Sequence, residues 1–328
     1  LLRDLIETFS QHDHNLPAGR AGRVERTGRF FMTALKSMWR VGLALIGLAL
    51  GAAIWELYKD FGPAQGVRLF GTRVLPRTTD SAMPHLSRIW DAFGEREVNG
   101  TVISLAPTPS VFTSVLNAAA RSLQWAGVGF GIGVVVGLGL ALVMDAVRVL
   151  ERALLPYIVL SQTVPLIALA PLVTGWGQGV KIGSVQWQTW MSVSLIASYL
   201  AFFPVAVGMA RGLKSPIAVH REYFVAVSAG WWATLLRLKL PASVPYLVPA
   251  LRLAAAGAVV GSIVGEISIG LEGGIGRLII SYSQGATGDP ARVYAAVLGA
   301  AVLGLLAAAL VSLFDLSLRR YQPAAGAE

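Results

Sequence analysis

The 328-residue chain contains no cysteine, which excludes disulfides, thiolate metal sites and cysteine nucleophiles together. Charge is scarce too: Asp, Glu, Lys and Arg make up 14% of the residues, against roughly 25% in an ordinary globular domain. The only histidines, His12, His14, His85 and His220, are scattered in polar segments, and no His/Asp/Glu set shows metal-ligand spacing. No serine, histidine and acid suggest a catalytic triad, and no GxxxxGK[ST] phosphate loop occurs. The chain is therefore expected neither to transform a substrate nor to hydrolyse ATP by itself, with no catalytic residue and no metal site.

What fills the chain instead is apolar: 55% of it is hydrophobic. The apolar residues cluster in runs long enough to cross a hydrocarbon core of about 30 Å at about 1.5 Å per helical residue. Six spans are expected, at about Val41 to Tyr58, Val115 to Val143, Leu154 to Trp176, Met191 to Met209, Val244 to Ile267 and Val293 to Leu316. The fold class is all-α, a polytopic membrane protein with six transmembrane helices in a lipid bilayer.

The net charge of +9 would suggest a nucleic-acid partner in a soluble protein, but here its distribution reports topology. Basic residues gather before span one (Arg3, Arg20, Arg23, Arg26, Arg29, Lys36, Arg40) and after span two (Arg148, Arg152). They gather again after span four (Arg211, Lys214, Arg221, Arg237, Lys239) and after span six (Arg319, Arg320). On the other side they are spread thinly over the long first loop, from Lys59 to Arg96. Both termini are expected in the cytoplasm, with no nucleic acid bound.

Four segments follow from this reading. Residues 1–40 are a cytoplasmic tail in which Leu1, Leu2, Leu5, Ile6 and Phe9 recur at helical spacing. Residues 41–110 hold the first span and an external loop, where Leu86, Ile89, Trp90 and Phe93 share one helical face expected to lie on the outer membrane surface. Residues 111–318 form the core with the remaining spans, and 319–328 a second cytoplasmic tail.

Within the spans, Gly129, Gly133 and Gly137 repeat every four residues, with Gly127 and Gly131 as a parallel set. Such spacing lets helix backbones approach closely in lipid. Span three holds Pro156, Pro165 and Pro171, each of which removes a backbone donor. Broken backbone at membrane depth requires protein or a water-filled cavity around it, so a pathway is implied. Ser161, Gln162 and Thr163, just before Pro165, either offer hydrogen bonds to a solute or bond between spans. Ser262 and Glu266 near the end of span five are pathway candidates, the alternative for Glu266 being a solvated carboxylate at the interface. The glycines of "GLEGGIGRL" read as a turn.

Between spans four and five, "REYFVAVSAGWWATLLRLKLPASVPYLVPALR" carries charges, a small-residue break and three prolines. Val219 to Val227 reads as a short helix, and Ser228, Ala229 and Gly230 permit a tight turn. Trp231 to Lys239 reads as a second helix that Pro241 ends. Tyr223, Phe224, Val227, Trp231 and Trp232 leave too much apolar surface for a free loop, so the segment should dock onto a partner.

These residues resemble the cytoplasmic "EAA" loop of ABC importer permeases: Glu-Ala-Ala, three residues, Gly, nine residues, an aliphatic residue, any residue, then Leu-Pro. Leu240 and Pro241 take the terminal pair, Leu238 the aliphatic position, Ser228 the glycine and Glu222 the glutamate. Tyr223 and Phe224 replace the two alanines, and Ser228 replaces the glycine, with Ala229 and Gly230 beside it to supply the turn. "VLERALLPYIVLSQTVPLIALAPLVTGWGQG", "AFFPVAVGMARGL" and "LPASVPYLVPALRLA" are similar to segments of the nitrate, taurine and sulfonate type of permease in the same order. "VKIGSVQWQTW" stands outside the pattern as an insertion.

The resemblance implies a type I permease fold and alternating access driven by two cytoplasmic ABC ATPase subunits, which hold ATP and Mg while this chain binds no cofactor. It also implies a second permease subunit, identical or related, and an external substrate-binding protein. Arg221, Glu222, Tyr223, Phe224, Ser228, Ala229, Gly230, Trp232 and Pro241 would form the coupling element, and Ser161, Gln162, Thr163, Pro165, Ser262 and Glu266 the pathway. The solute would be a small anion, or a heterocycle such as a pyrimidine vitamin precursor or flavin. A secondary transporter without an ATPase is the competing class, but Asp and Glu are nearly absent from the spans.

Overall fold

A computed structural model describes residues 39, 42–69, 72–97, 109–285 and 289–318. The amphipathic pattern at residues 1–40 and the tail at 319–328 lie outside the described residues. The chain divides into two compact units, Leu1–Leu86 and Ser87–Glu328.

In the first unit, α1 (Gly42–Phe61) is apolar enough to span a membrane, and none of its most apolar stretch is buried within the chain. A two-residue hairpin follows, β1 (Arg68–Leu69) with β2 (Thr72–Arg73), and then a strap that returns to the end of α1. Tyr58 Oη donates to Pro76 O at 3.0 Å, and Trp55 Nε1 to Pro84 O at 3.1 Å.

The second unit opens with α2 (Leu86–Gly94). Here the surface-lying face is corrected: Ile89 and Ala92 are buried, whereas Trp90 is 77% exposed. Two neighbours on the expected stripe thus part company because the helix packs against protein along the line through Ile89 and Ala92. Arg88 bridges Glu95 and Asp289, and Arg292 bridges Glu95 at 3.0 Å. Arg88, and after it Arg292, hold the Glu95 carboxyl below the usual carboxylate range.

Five further helices follow: α3 (Val111–Ala146), α4 (Arg148–Ser161), α5 (Leu166–Gly177), α6 (Thr189–Leu213) and α7 (Ala218–Ala226). They continue into α8 (Trp231–Ile269), α9 (Ile275–Gln284) and α10 (Ala291–Leu318). The insertion-like segment becomes a hairpin, β3 (Lys181–Ile182) with β4 (Val185–Gln186), leading to Trp187, whose Nε1 donates to Ser192 Oγ at 2.9 Å. Apart from such two-residue strands the regular elements of the described residues are helices, in agreement with the all-α expectation. Five helices are long and apolar enough to cross a membrane, or six if the α4/α5 pair is one span.

The central helix is α6, packed along α3 on one side and α8 on the other. Half of its most apolar stretch is buried, against 17% for α10, which leaves α10 peripheral. Lipid gives apolar side chains little reason to leave it, so contact between spans depends on close packing. On α3, Gly133 meets Ala201 so closely that an added Cβ would stand 2.6 Å from its Cβ, and at Gly137 the distance to Phe202 O would be 2.7 Å. From α8, Gly261 lies against Ala197, where a Cβ would fall 2.8 Å from Cα. Of the two glycine stripes the sequence offers, Gly129/Gly133/Gly137 is the packed one, and Gly127 and Gly131 have nothing within 4 Å.

One sequence expectation needs correction along α8. Pro241 does not end a helix: one helix runs from Trp231 to Ile269, and residues Leu235–Lys239 form a π-turn in which Leu240 N–H reaches back to Leu235 O. That wider turn shifts the hydrogen-bond register just before Pro241, so the proline ring and its missing donor fall at the start of a new α-helical segment, where both are tolerated. The "GLEGG" segment is the expected turn, with Gly270 (φ 76°) and Gly273 (φ 92°) in the left-handed region.

Replacing Gly133 by leucine should destabilise the protein by about 2 kcal/mol or more, while Gly131→Leu should leave it unchanged. Thermal unfolding midpoints of the two variants in the same detergent check this.

Candidate functional site

Two features of the second unit stand out from the packed spans: a break between α4 and α5, and the hairpin formed by α7 with the first turn of α8.

At the break the two helices turn through 103°. Pro165 is the N-cap of α5, so of the prolines in this segment it marks the break, while Pro156 and Pro171 sit inside α4 and α5. Ser161 and Gln162 are half-buried, and Thr163, Val164 and Pro165 are exposed. The hydroxyls turn back on their own helix: Ser161 Oγ donates to Ile158 O at 2.7 Å and Thr163 Oγ1 to Leu160 O at 2.8 Å. Leu160 O also accepts from Thr163 N at 3.0 Å, so the carbonyl at the helix end carries both bonds. Tyr199 of α6 braces the break by donating to Ser161 O. Sequence reading missed Tyr199, because an aromatic inside an apolar run looks like any lipid-facing anchor. The first turn of α5 has no side-chain cap.

Ser262 and Glu266 belong elsewhere. Both are fully buried within the chain, so Glu266 is not a solvated carboxylate, and neither residue lines open space in the subunit. Glu266 Oε1 accepts from Ser262 Oγ at 2.8 Å, and Oε2 from Gly276 N at 2.8 Å, while Ile275 N donates to Ser122 Oγ at 2.9 Å. Glu266 thereby serves the N-terminus of α9, where backbone N–H groups and the helix dipole favour an anionic partner. The charge that looked functional is a joint between α3, α8 and α9.

The hairpin is built from α7, a turn and Trp231 onward. Helix α7 ends in a Schellman motif: Ala229 N donates to Phe224 O and Ser228 N to Val225 O, both at 2.9 Å. The residue that closes such a motif adopts positive φ, a position glycine usually fills. Here it is Ser228, at φ 52°, the one non-glycine residue with positive φ among those described. Gly230, expected to help supply the turn, is extended at φ −65° and caps the next helix. The motif's glycine position thus keeps its backbone geometry although its side chain has changed.

The hairpin presents an unpartnered apolar surface. Tyr223 is 64% and Trp232 68% exposed, with Val225, Val227 and Trp231 beside them. Arg221, Glu222 and Gly230 are exposed as well, whereas Phe224, Ala229 and Pro241 are half-buried. Paired rings stiffen it: Tyr223 meets Phe224 at 6.0 Å and Trp231 meets Trp232 at 4.6 Å, both edge to face.

The hairpin's base is fixed to the bundle. Leu235 is buried among Met144, Ile158, Met209 and Leu213. Lys239, set by the π-turn, contacts both oxygens of Asp145 at 2.8 Å in a mostly buried ion pair, and Lys214 pairs with Glu151. Ser215 Oγ donates to Ala242 O at 3.0 Å. The base of the hairpin is thereby bonded to α3 and packed against α4 and α6.

A bundle of apolar helices that includes a broken helix, with an exposed apolar hairpin between two spans, defines a multi-pass membrane protein. Residues 133–320 match the family described as "Binding-protein-dependent transport system inner membrane component", and the chain belongs to that family, the inner-membrane permeases of ABC transport systems. The chain is 32% identical over 124 residues to a "Formylaminopyrimidine transport permease protein ThiX" of Halalkalibacterium halodurans, covering 38% of this chain and 46% of that one. It is 28% identical over 102 residues to a "Riboflavin transport system permease protein RibX" of Chloroflexus aurantiacus, covering 31% and 34%. The chain thus spans less than half the length of these curated relatives. It also resembles a solved chain described as "Crystal structure of an amino acid ABC transporter with histidines", at 18% identity and a TM-score of 0.49, covering 63% of this chain and 94% of that chain.

Ser228→Gly should remove a left-handed penalty of about 1 kcal/mol and raise the thermal midpoint, whereas Ser228→Val should lower it. Asp145→Ala should cost on the order of 3 kcal/mol by stranding Lys239. The reversed pair, Asp145→Lys with Lys239→Asp, should recover part of that loss in the same unfolding measurement.

Proposed function

We propose that this chain is the permease subunit of an ATP-driven importer, in which the 218–232 hairpin couples a cytoplasmic ATPase to the spans. The observation that carries this reading is the exposed aromatic hairpin anchored through Lys239–Asp145 and Lys214–Glu151 to the helices around the break. Contiguous exposed apolar surface of this kind marks a protein contact. The clustering of basic residues beside it supports a cytoplasmic position for the hairpin and, with it, for both termini.

On this reading each ATPase holds ATP and Mg, and the hairpin seats in a groove on it, with Glu222 at the rim and Tyr223, Val225, Val227 and Trp232 as the apolar anchors. Closure of the ATPase pair pulls the hairpins, and α3, α4 and α8 follow through the buried ion pair and the Leu235 cluster. That motion switches the permease pair between inward-open and outward-open states. The pathway runs past Ser161, Gln162, Thr163 and Pro165, where broken backbone supplies polar groups among apolar helices. An external binding protein delivers the solute. The relatives named for formylaminopyrimidine and riboflavin favour a planar nitrogen heterocycle over a small anion of the nitrate or sulfonate type.

The test is uptake in cells or proteoliposomes containing the whole transporter. Glu222→Ala with Trp232→Ala should lower ATPase copurification and uptake by about tenfold or more, as expected when interface anchors worth about 2 kcal/mol are removed. The isolated chain's unfolding midpoint should stay unchanged, since both side chains are exposed. Undiminished uptake in that variant would refute the coupling role.

A further inference from the structure

Along the sequence no metal-ligand spacing is visible, yet the fold of the first unit brings Glu56, Asp60 and His85 together. We propose that these residues form a binding site for a divalent transition metal, with Zn2+ as its representative. Glu56 and Asp60 stand four residues apart on α1 and so share one face of its last turns. His85 arrives from the strap that precedes α2. Each residue can present one donor atom, and the three atoms lie within 4.8 Å of one another. An imidazole with carboxylates, and a further position open to water, is a ligand set that zinc takes, and the imidazole disfavours Mg2+ and Ca2+.

The surroundings prearrange this set. Trp55, Tyr58 and Lys59 all bond to the strap, Lys59 through Thr78 O and, at 2.7 Å, Asp80 Oδ1. Those bonds give the Lys59 ammonium partners of its own in the strap. Glu56 Oε1 accepts from Leu86 N at 2.7 Å, and Oε2 lies 2.8 Å from His85 Nδ1, which holds the ring over the helix face. Asp60 is exposed and has no hydrogen-bond or ion-pair partner among the described residues. A dication bound here neutralises two carboxylates and fastens the strap to the end of α1.

The experiment is titration of the purified full chain, free of any histidine tag, with Zn2+ against a chromophoric chelator in detergent at neutral pH. One Zn2+ should bind per chain, undisturbed by excess Mg2+, and should raise the unfolding midpoint. Asp60→Asn and His85→Gln, which preserve size, should each weaken binding by about tenfold or more and abolish the midpoint shift. The metal-free midpoint of Asp60→Asn should match that of the parent, which separates ligand loss from misfolding. Absence of stoichiometric binding, or binding that survives both substitutions and therefore belongs to other histidines, overturns the proposal.

Discussion

Everything else in the core rests on the closeness with which α6 is held between α3 and α8. Within a bilayer, apolar side chains gain little by leaving lipid, so helices associate through van der Waals contact and a few hydrogen bonds. At Gly129, Gly133 and Gly137 on α3, and at Gly261 on α8, backbone meets backbone or small side chain with no room for another carbon. Those contacts set the spacing that lets Ser194 Oγ bond Trp125 O at 3.0 Å and Tyr199 brace the break at Ser161. They also make α6 a fixed post against which less buried helices can move.

Prolines are used in two opposite ways against that post. Pro165 leaves the chain broken, with polar groups collected at a sharp bend. Pro241 is absorbed into a continuous helix, because the π-turn at Leu235–Lys239 takes up the lost hydrogen bond. The first creates a polar step among apolar helices. The second makes the hairpin and α8 mechanically one body and aims Lys239 at Asp145.

Much of this was legible in the sequence. Hydropathy located every long helix to within a few residues, except that α8 begins at Trp231 rather than near Val244, since a proline normally reads as a stop. The motif spacing from Glu222 to Pro241 located the hairpin, but not which residue bears its left-handed turn. Ser228 keeps the glycine's backbone state because the Schellman hydrogen bonds demand it, whereas the sequence reading offered Ala229 and Gly230 beside it to supply the turn. Glu266 was visible as an unusual charge, yet its role as the anchor of α9 depends on Ser122 and Gly276 from other elements.

The sequence by itself determined the membrane class, the approximate spans and the helical hairpin between the fourth and fifth of them, because hydropathy and local spacing are properties of neighbouring residues. Only the tertiary structure decided which glycine stripe is packed, which proline breaks its helix, and that Glu56, Asp60 and His85 meet. Each of these depends on what another segment places opposite the residue, and in lipid that choice is made by fit between surfaces rather than by apolarity.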